Sequence, residues 1–252
     1  MGFLNRSYRD GDRFALDGAP VRLRVDGRAR RVNLRVDAAA REVIATAPTP
    51  RRLGEAAAFA AERRQWIAAR LAALPTPSPL TPGATIEVAG QPCLLVSAPG
   101  RPRWRPASET APAALVAPGD GDAFSRAVLA ALKREARIRL AERTALHAAR
   151  LERPQPVIAV ADARGRWGSC RAPRRRGFGS ELEVGRIRYS WRLLLAPPAV
   201  LDYVCAHECA HLIEANHSPR FWAVVRGLIG DERPHRDWLR ANGARLHAVG
   251  GR

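Results

Sequence analysis

At 252 residues the chain can bury a real core, and its 46% apolar content is that of a globular protein rather than a disordered or fibrous one. The formal net charge of +18 suits a polyanionic partner, although Lys133 is the only lysine, and abundant Arg with abundant Ala is also what GC-rich coding produces. The longest apolar run, Leu193 to Leu201, contains two prolines and is too short for a bilayer, and Met1 to Arg13 lacks the apolar segment of a secretory signal, so a cytoplasmic protein without membrane contact is expected.

Val21–Val25 and Val32–Val36 alternate apolar and polar residues around a Gly-containing turn, as the strands of a hairpin do, and Val43 to Ala47 adds a third strand. Leu53 to Leu74 reads as one helix, from its Ala, Glu and Arg content and its stripe of Phe59, Trp66, Ile67, Leu71 and Leu74, ended by Pro75, Pro77 and Pro79. Strands recur at Thr85–Val88, Cys93–Ser97 and Ala114–Ala117, with an arginine- and proline-rich loop before the last. Ala123 to Leu151 is a long helix stopped by Pro154. Val157–Val160, the turn Arg166–Cys170 and Glu181–Tyr189 then form a short antiparallel sheet. The expected class is α+β, small antiparallel sheets packed with helices, without internal repeats.

Pro197 and Pro198 open a helix whose apolar run leads into His207-Glu208-Cys209-Ala210-His211. Residues four apart share a helix face, so His207 and His211 aim two imidazoles at one point. Glu208 is offset from both and reaches a bound water rather than the metal, the position of a general base. His217, beyond the helix end, is the leading third ligand, with Asn216 expected in a left-handed turn and Ser218-Pro219 opening the next helix. Glu214, seven residues after His207, is the rival third ligand. The spacing equals that of the metzincins, but Glu214 stands where their turn glycine belongs, and Met1, the sole methionine, leaves no Met-turn. Asp231, Asp237 and Glu214 can each accept a hydrogen bond from a ligand imidazole.

Arg166-Trp167-Gly168-Ser169-Cys170, then Tyr189-Ser190-Trp191-Arg192 through Pro198, then Asp202 to His211, Asn216-His217-Ser218 and Phe221-Trp222 resemble the successive blocks of the YgjP-like metallopeptidases, relatives of the SprT-like and WLM zinc proteases. Ser190 departs from the asparagine common in that family. The resemblance extends from about Arg22 to Leu246. It implies a zincin-like catalytic unit on an HExxH helix, one zinc ion held by His207, His211 and His217, and Glu208 as the catalytic residue. The implied organisation is a tail at 1–20 and a domain at 21–247, divided into a β-rich lobe at about 21–118 and a catalytic lobe at about 119–247.

Around this centre, Tyr203 lies one turn before His207 on its face and can donate a hydrogen bond to a developing oxyanion, or pack beneath the ligands. Arg166, Trp167, Arg186 and Arg188 are candidate substrate contacts, the last two on a strand that can pair with an extended peptide. The four cysteines are expected as reduced thiols, because there is no mark of export and no Cys-x-x-Cys pair. A zinc-dependent peptidase acting on a peptide or protein substrate is the leading expectation. A nucleotide phosphoanhydride hydrolase with the same metal site, and a basic DNA- or polyanion-binding module, are the alternatives. The arginine runs at 28–31, 101–106 and 171–176 imply only weak, salt-sensitive binding to nucleic acid or nucleotides.

Overall fold

The fold was taken from a computed structural model that describes residues 7–38, 40–163, 165–173 and 184–250. Two parts of the sequence reading, Glu181 to Glu183 of the expected strand and Arg174 to Arg176 of a basic run, lie outside the described residues. Helices combine with small mixed sheets in an α+β arrangement. No helix among the described residues is long and apolar enough to cross a membrane. The chain divides into two compact units, Met1–Thr76 and Pro77–Arg252.

In the first unit β1 (Arg13–Leu16), β2 (Ala19–Val25), β3 (Asn33–Asp37) and β4 (Glu42–Ala47) form one sheet in the order β1-β2-β4-β3. The hairpin expected from Val21–Val25 and Val32–Val36 does not form. Instead β2 pairs antiparallel with β1 and parallel with β4, and β3 pairs only with β4. The reason is burial: every residue of β4 is buried, so it takes the interior, whereas Asn33 and Arg35 are exposed on β3, which takes the edge. Asp17 and Gly18, both at positive φ, close the β1–β2 hairpin, so residues 13–16 belong to the sheet and not to a tail. The single expected helix is two, α1 (Leu53–Glu62) and α2 (Arg64–Ala72), separated at Arg63. With this break Ile67 joins Leu23, Leu53 and Ala57 in the buried cluster.

In the second unit β5 (Thr85–Val88), β6 (Gln91–Ser97), β7 (Arg103–Arg105) and β8 (Ala114–Ala117) form a mixed sheet in the order β5-β6-β8-β7, so the arginine-rich stretch expected as a loop supplies an edge strand. The 30-residue α3 (Gly121–Arg150) follows. Ile86, Leu95 and Leu115 share one core cluster with Phe124, Leu132 and Leu140 of α3 and with the later helices. A lobe boundary near 118 would cut this core, and the division falls instead at the proline-rich segment after residue 76.

The third sheet, of β9 (Val157–Ala161), β10 (Gly168–Arg171) and β11 (Arg186–Ser190), has the order β10-β11-β9. It is mixed rather than antiparallel, since β11 runs parallel to β9 and antiparallel to β10. A 3-10 turn, Trp191–Leu195, leads into α4 (Pro198–Ala210), α5 (Pro219–Ile229) and α6 (Arg233–Ala248). Ser190 is wholly buried and caps that turn, accepting from the Arg192 N–H at 3.4 Å. The two-residue Ala89-Gly90 turn joining β5 to β6 anchors the same turn, because the Ala89 N–H donates to the Leu194 carbonyl at 2.7 Å. A side chain at residue 90 would meet Pro197, its Cβ 3.3 Å from that Cα.

Candidate metal centre

The helix α4 starts as its prolines require: Pro198 takes the first turn, where a missing N–H costs nothing, and Val200, Leu201, Val204 and Cys205 bury its inner face. His207 sits in its last turn and His211 caps its C-terminal end, where the Leu212 and Ile213 N–H groups bond back to Cys209 and Ala210. The chain then reverses at His217. Asn216 is not left-handed, contrary to expectation. The Ser218 N–H donates to the Asn216 carbonyl at 2.8 Å, which makes His217 the centre of a three-residue γ-turn of ordinary negative φ. Ser218 then caps α5, its Oγ accepting from the Phe221 N–H at 3.3 Å.

These local choices bring His207, His211 and His217 together, with candidate ligand atoms all within 4.8 Å of one another. The Nε2 atoms of His207 and His217 are 3.1 Å apart. His211 Nδ1 lies 3.0 Å from the Glu214 carbonyl. A carbonyl only accepts, so Nδ1 carries the proton and Nε2 keeps its lone pair for the cluster. Glu214 therefore contributes through its main chain, and its carboxylate is not in the cluster. Asp231 and Asp237 are taken by Arg233 and Arg240. Burial lowers the His207 pKa to about 3, helped by the like charges of His211, His217 and Arg236, and burial also lowers that of His211. Neutral imidazoles with converging lone pairs are what a borderline-soft divalent cation such as zinc requires, and the donor set fits it.

Glu208 is 5% exposed, and its Oε2 has no hydrogen-bond partner among the described residues. Burial pushes its pKa up to about 7, with the charge of Arg166 pulling the other way. Its carboxyl lies against Gly168 at the start of β10, where an added Cβ would fall 2.7 Å from the carboxyl carbon. A side chain at 168 would have to displace the Glu208 carboxyl.

Among the other candidates, Tyr203 meets the His207 ring edge-on at 5.9 Å and stacks on His235 at 5.9 Å, and burial pushes its phenol up to about 12. Trp167 turns away, stacking on His247 of α6 at 4.7 Å. Arg166 is exposed but near enough for its charge to act on Glu208. Arg186 and Arg188 lie exposed on the face of β11 opposite Ile187 and Tyr189. Because β11 is paired on both sides, it cannot take up a peptide, and the edge beside Glu208 that is unpaired among the described residues is that of β10. All four cysteines are free, with Cys93, Cys205 and Cys209 buried.

The model of the YgjP-like metallopeptidase domain matches residues 30–242. The chain belongs to the YgjP-like metallopeptidases. No curated protein and no solved structure matches this metallopeptidase.

Three features of the metallopeptidase site were not legible in its sequence. Gly168 reads as an ordinary turn residue. Arg236 lies with its guanidinium 4.6 Å above the Trp222 ring, which in turn stacks on His217 at 5.8 Å, although both residues read as parts of covering helices. Behind α4, Asp202 Oδ1 lies 2.6 Å from both His147 Nε2 and Arg143 Nε of α3. The i, i+4 spacing of Arg143 and His147 on the inner face of α3 is the only signal of that cluster.

Proposed function

We propose that this metallopeptidase is a zinc-dependent endo- or exopeptidase in which His207, His211 and His217 hold one zinc ion and Glu208 is the general base. The observation that carries the reading is the buried Glu208 carboxyl, with an oxygen lacking any partner among the described residues, next to three converging imidazoles. Zinc bound there would supply a Lewis acid and lower the pKa of a coordinated water. Glu208 takes the proton of the attacking water and returns it to the leaving amine. The bare Cα of Gly168 lets Glu208 lie directly beside the edge of β10, unpaired among the described residues, along which an extended substrate can donate and accept main-chain hydrogen bonds. Tyr203, which burial keeps protonated, donates to the carbonyl oxygen as charge develops, a role supported by its contact with the His207 ring. The cytoplasm fits a chain whose four thiols are all free.

The test is Glu208→Gln. The variant should keep its zinc, by metal analysis, while peptide turnover falls by roughly 10²–10⁴-fold. Wild-type turnover by a zinc-loaded Glu208→Gln protein would remove Glu208 as the base. Release of pyrophosphate from nucleoside triphosphates, without cleavage of any peptide in a broad panel, would replace the peptide bond with a phosphoanhydride as the target.

A further inference from the structure

The first unit carries a second recognition feature that the metal centre does not use. The strand β3 is the terminal strand of its sheet, and among the described residues no backbone hydrogen bond leaves its outer edge. Beside that edge, between β3 and the helices α1 and α2, runs a hollow of about 460 Å³ lined by Arg31, Val32, Leu34, Phe59, Arg63 and Trp66. A second hollow of about 450 Å³ adjoins it, sharing Arg31, Val32 and Phe59. Trp66 is 40% exposed, a large ring left at the surface where Ile67, next to it, is fully buried.

The charges around this groove are mostly uncompensated. Among the described residues Arg31 and Arg63, which line it, make no ion pair, whereas the other arginines of the unit near a carboxylate are spoken for, as Arg52 is by Glu55. Arg63 lies over the Phe59 ring at 5.6 Å and Arg70 over Trp66 at 5.7 Å, which holds both guanidiniums beside the aromatic floor. Glu62 is the one acidic side chain in the second hollow besides Glu55. Arginines on an edge strand alone would be guards against aggregation. Guards need neither an aromatic floor nor two adjoining hollows.

We propose that this groove binds an extended peptide with alternating acidic and apolar residues, which adds to β3 as a fifth strand. Main-chain hydrogen bonds to the free edge hold the peptide. Alternate side chains, roughly 7 Å apart on one face, enter the two hollows against Phe59 and Trp66, and its carboxylates meet Arg31 and Arg63. The five residues of β3 offer about 16 Å of edge, enough for a segment of similar length. The groove thus selects acidic, unfolded segments independently of the chemistry at His207–His217, whether as substrate tethers or as regulators.

The experiment uses the full-length chain carrying Glu208→Gln, so that no probe is cleaved, and a fluorescein-labelled peptide acetyl-Glu-Val-Glu-Phe-Glu-Val-Glu-amide read by anisotropy. Saturable binding is expected, weakened roughly 10-fold or more by Trp66→Ala and by Arg31→Glu with Arg63→Glu. A peptide with Lys in place of Glu should bind the doubly reversed variant better than the parent. N-methylation of alternate peptide nitrogens should abolish binding on the face that pairs with β3. Absence of binding, equal binding by the N-methylated peptide, or indifference to all three substitutions overturns the proposal. So does an oligo(dT) strand that binds more tightly and is weakened by the same substitutions, since the groove would then serve single-stranded nucleic acid.

Discussion

Two histidine clusters face opposite sides of α4, and their surroundings differ in kind. On one side His147 is wholly buried, and its ring shares the Asp202 carboxylate with Arg143. On the other side His207, His211 and His217 meet one another, and among the described residues none of the three has a carboxylate partner. His147 meets its carboxylate through Nε2, while its buried Nδ1 has no partner among the described residues, and a ring held this way serves packing and stability. Three histidines facing one another repel as cations and remain polar as neutral rings, an arrangement that could hold a shared cation. In the proposed function, the same residue type thus does structural work on one side of α4 and metal chemistry on the other.

The sharpest test of this contrast removes one histidine from each cluster. His211→Ala or His217→Ala should weaken zinc binding by roughly 10³-fold or more, read by competition with a chelator. His147→Ala should leave zinc affinity within a few-fold of wild type and lower the thermal midpoint. Comparable zinc loss in both would erase the distinction. Full zinc retention in His217→Ala would leave the third ligand to another residue.

Next in size is Gly168→Ala. The new methyl displaces the Glu208 carboxyl by about an ångström, and misplacement on that scale costs roughly 10²-fold in turnover. Zinc affinity should be unchanged, because Glu208 is not a ligand in this reading. Normal turnover would mean that the carboxyl has room to move.

On the structural side, Asp202→Ala leaves His147 and Arg143 without their shared acceptor, and a loss of about 3 kcal/mol is expected from chemical denaturation, with zinc still bound. A loss below about 0.5 kcal/mol would show that water replaces the carboxylate at no cost.

The smallest effect is the acid limb of stability. Burial disfavours the Asp202 anion, but the hydrogen bonds from His147 and Arg143 outweigh it and hold the pKa at about 2. The folded value is depressed, so the contribution, about 2 kcal/mol, is complete above the unfolded carboxylate value near 3.9 and disappears as pH falls toward 2. Asp202→Asn should flatten stability between about pH 4 and 2 relative to wild type. An identical acid limb in both proteins would refute the assignment.

The sequence carries the metal helix clearly, because Pro198, the apolar run to Cys205 and the His207–His211 spacing are all local signals read on one helix. The strands themselves are also legible, since alternation marks β2 and β3. Their partners are not: β4 enters between them because its buried run competes better for the interior, and pairing order is a property of the whole sheet. The break at Arg63 escapes for a similar reason, as Ala-rich stretches on both sides are equally helical and only packing against the sheet decides where the axis bends. Gly168 and Asp202 matter through residues 40 or more positions away, and such contacts leave no periodic trace.

Surface connections ordinarily tolerate insertions and deletions. The segment from Leu212 to Ser218 is an exception, because its length sets the angle at which His217 faces the end of α4 and its γ-turn leaves no slack. One residue more or less would carry the imidazole out of the cluster even with every histidine retained. Among homologues and engineered variants, length in this segment should therefore be as constrained as residue identity, and a chain with the motif intact but this spacing altered should be read as having lost the third imidazole of the cluster.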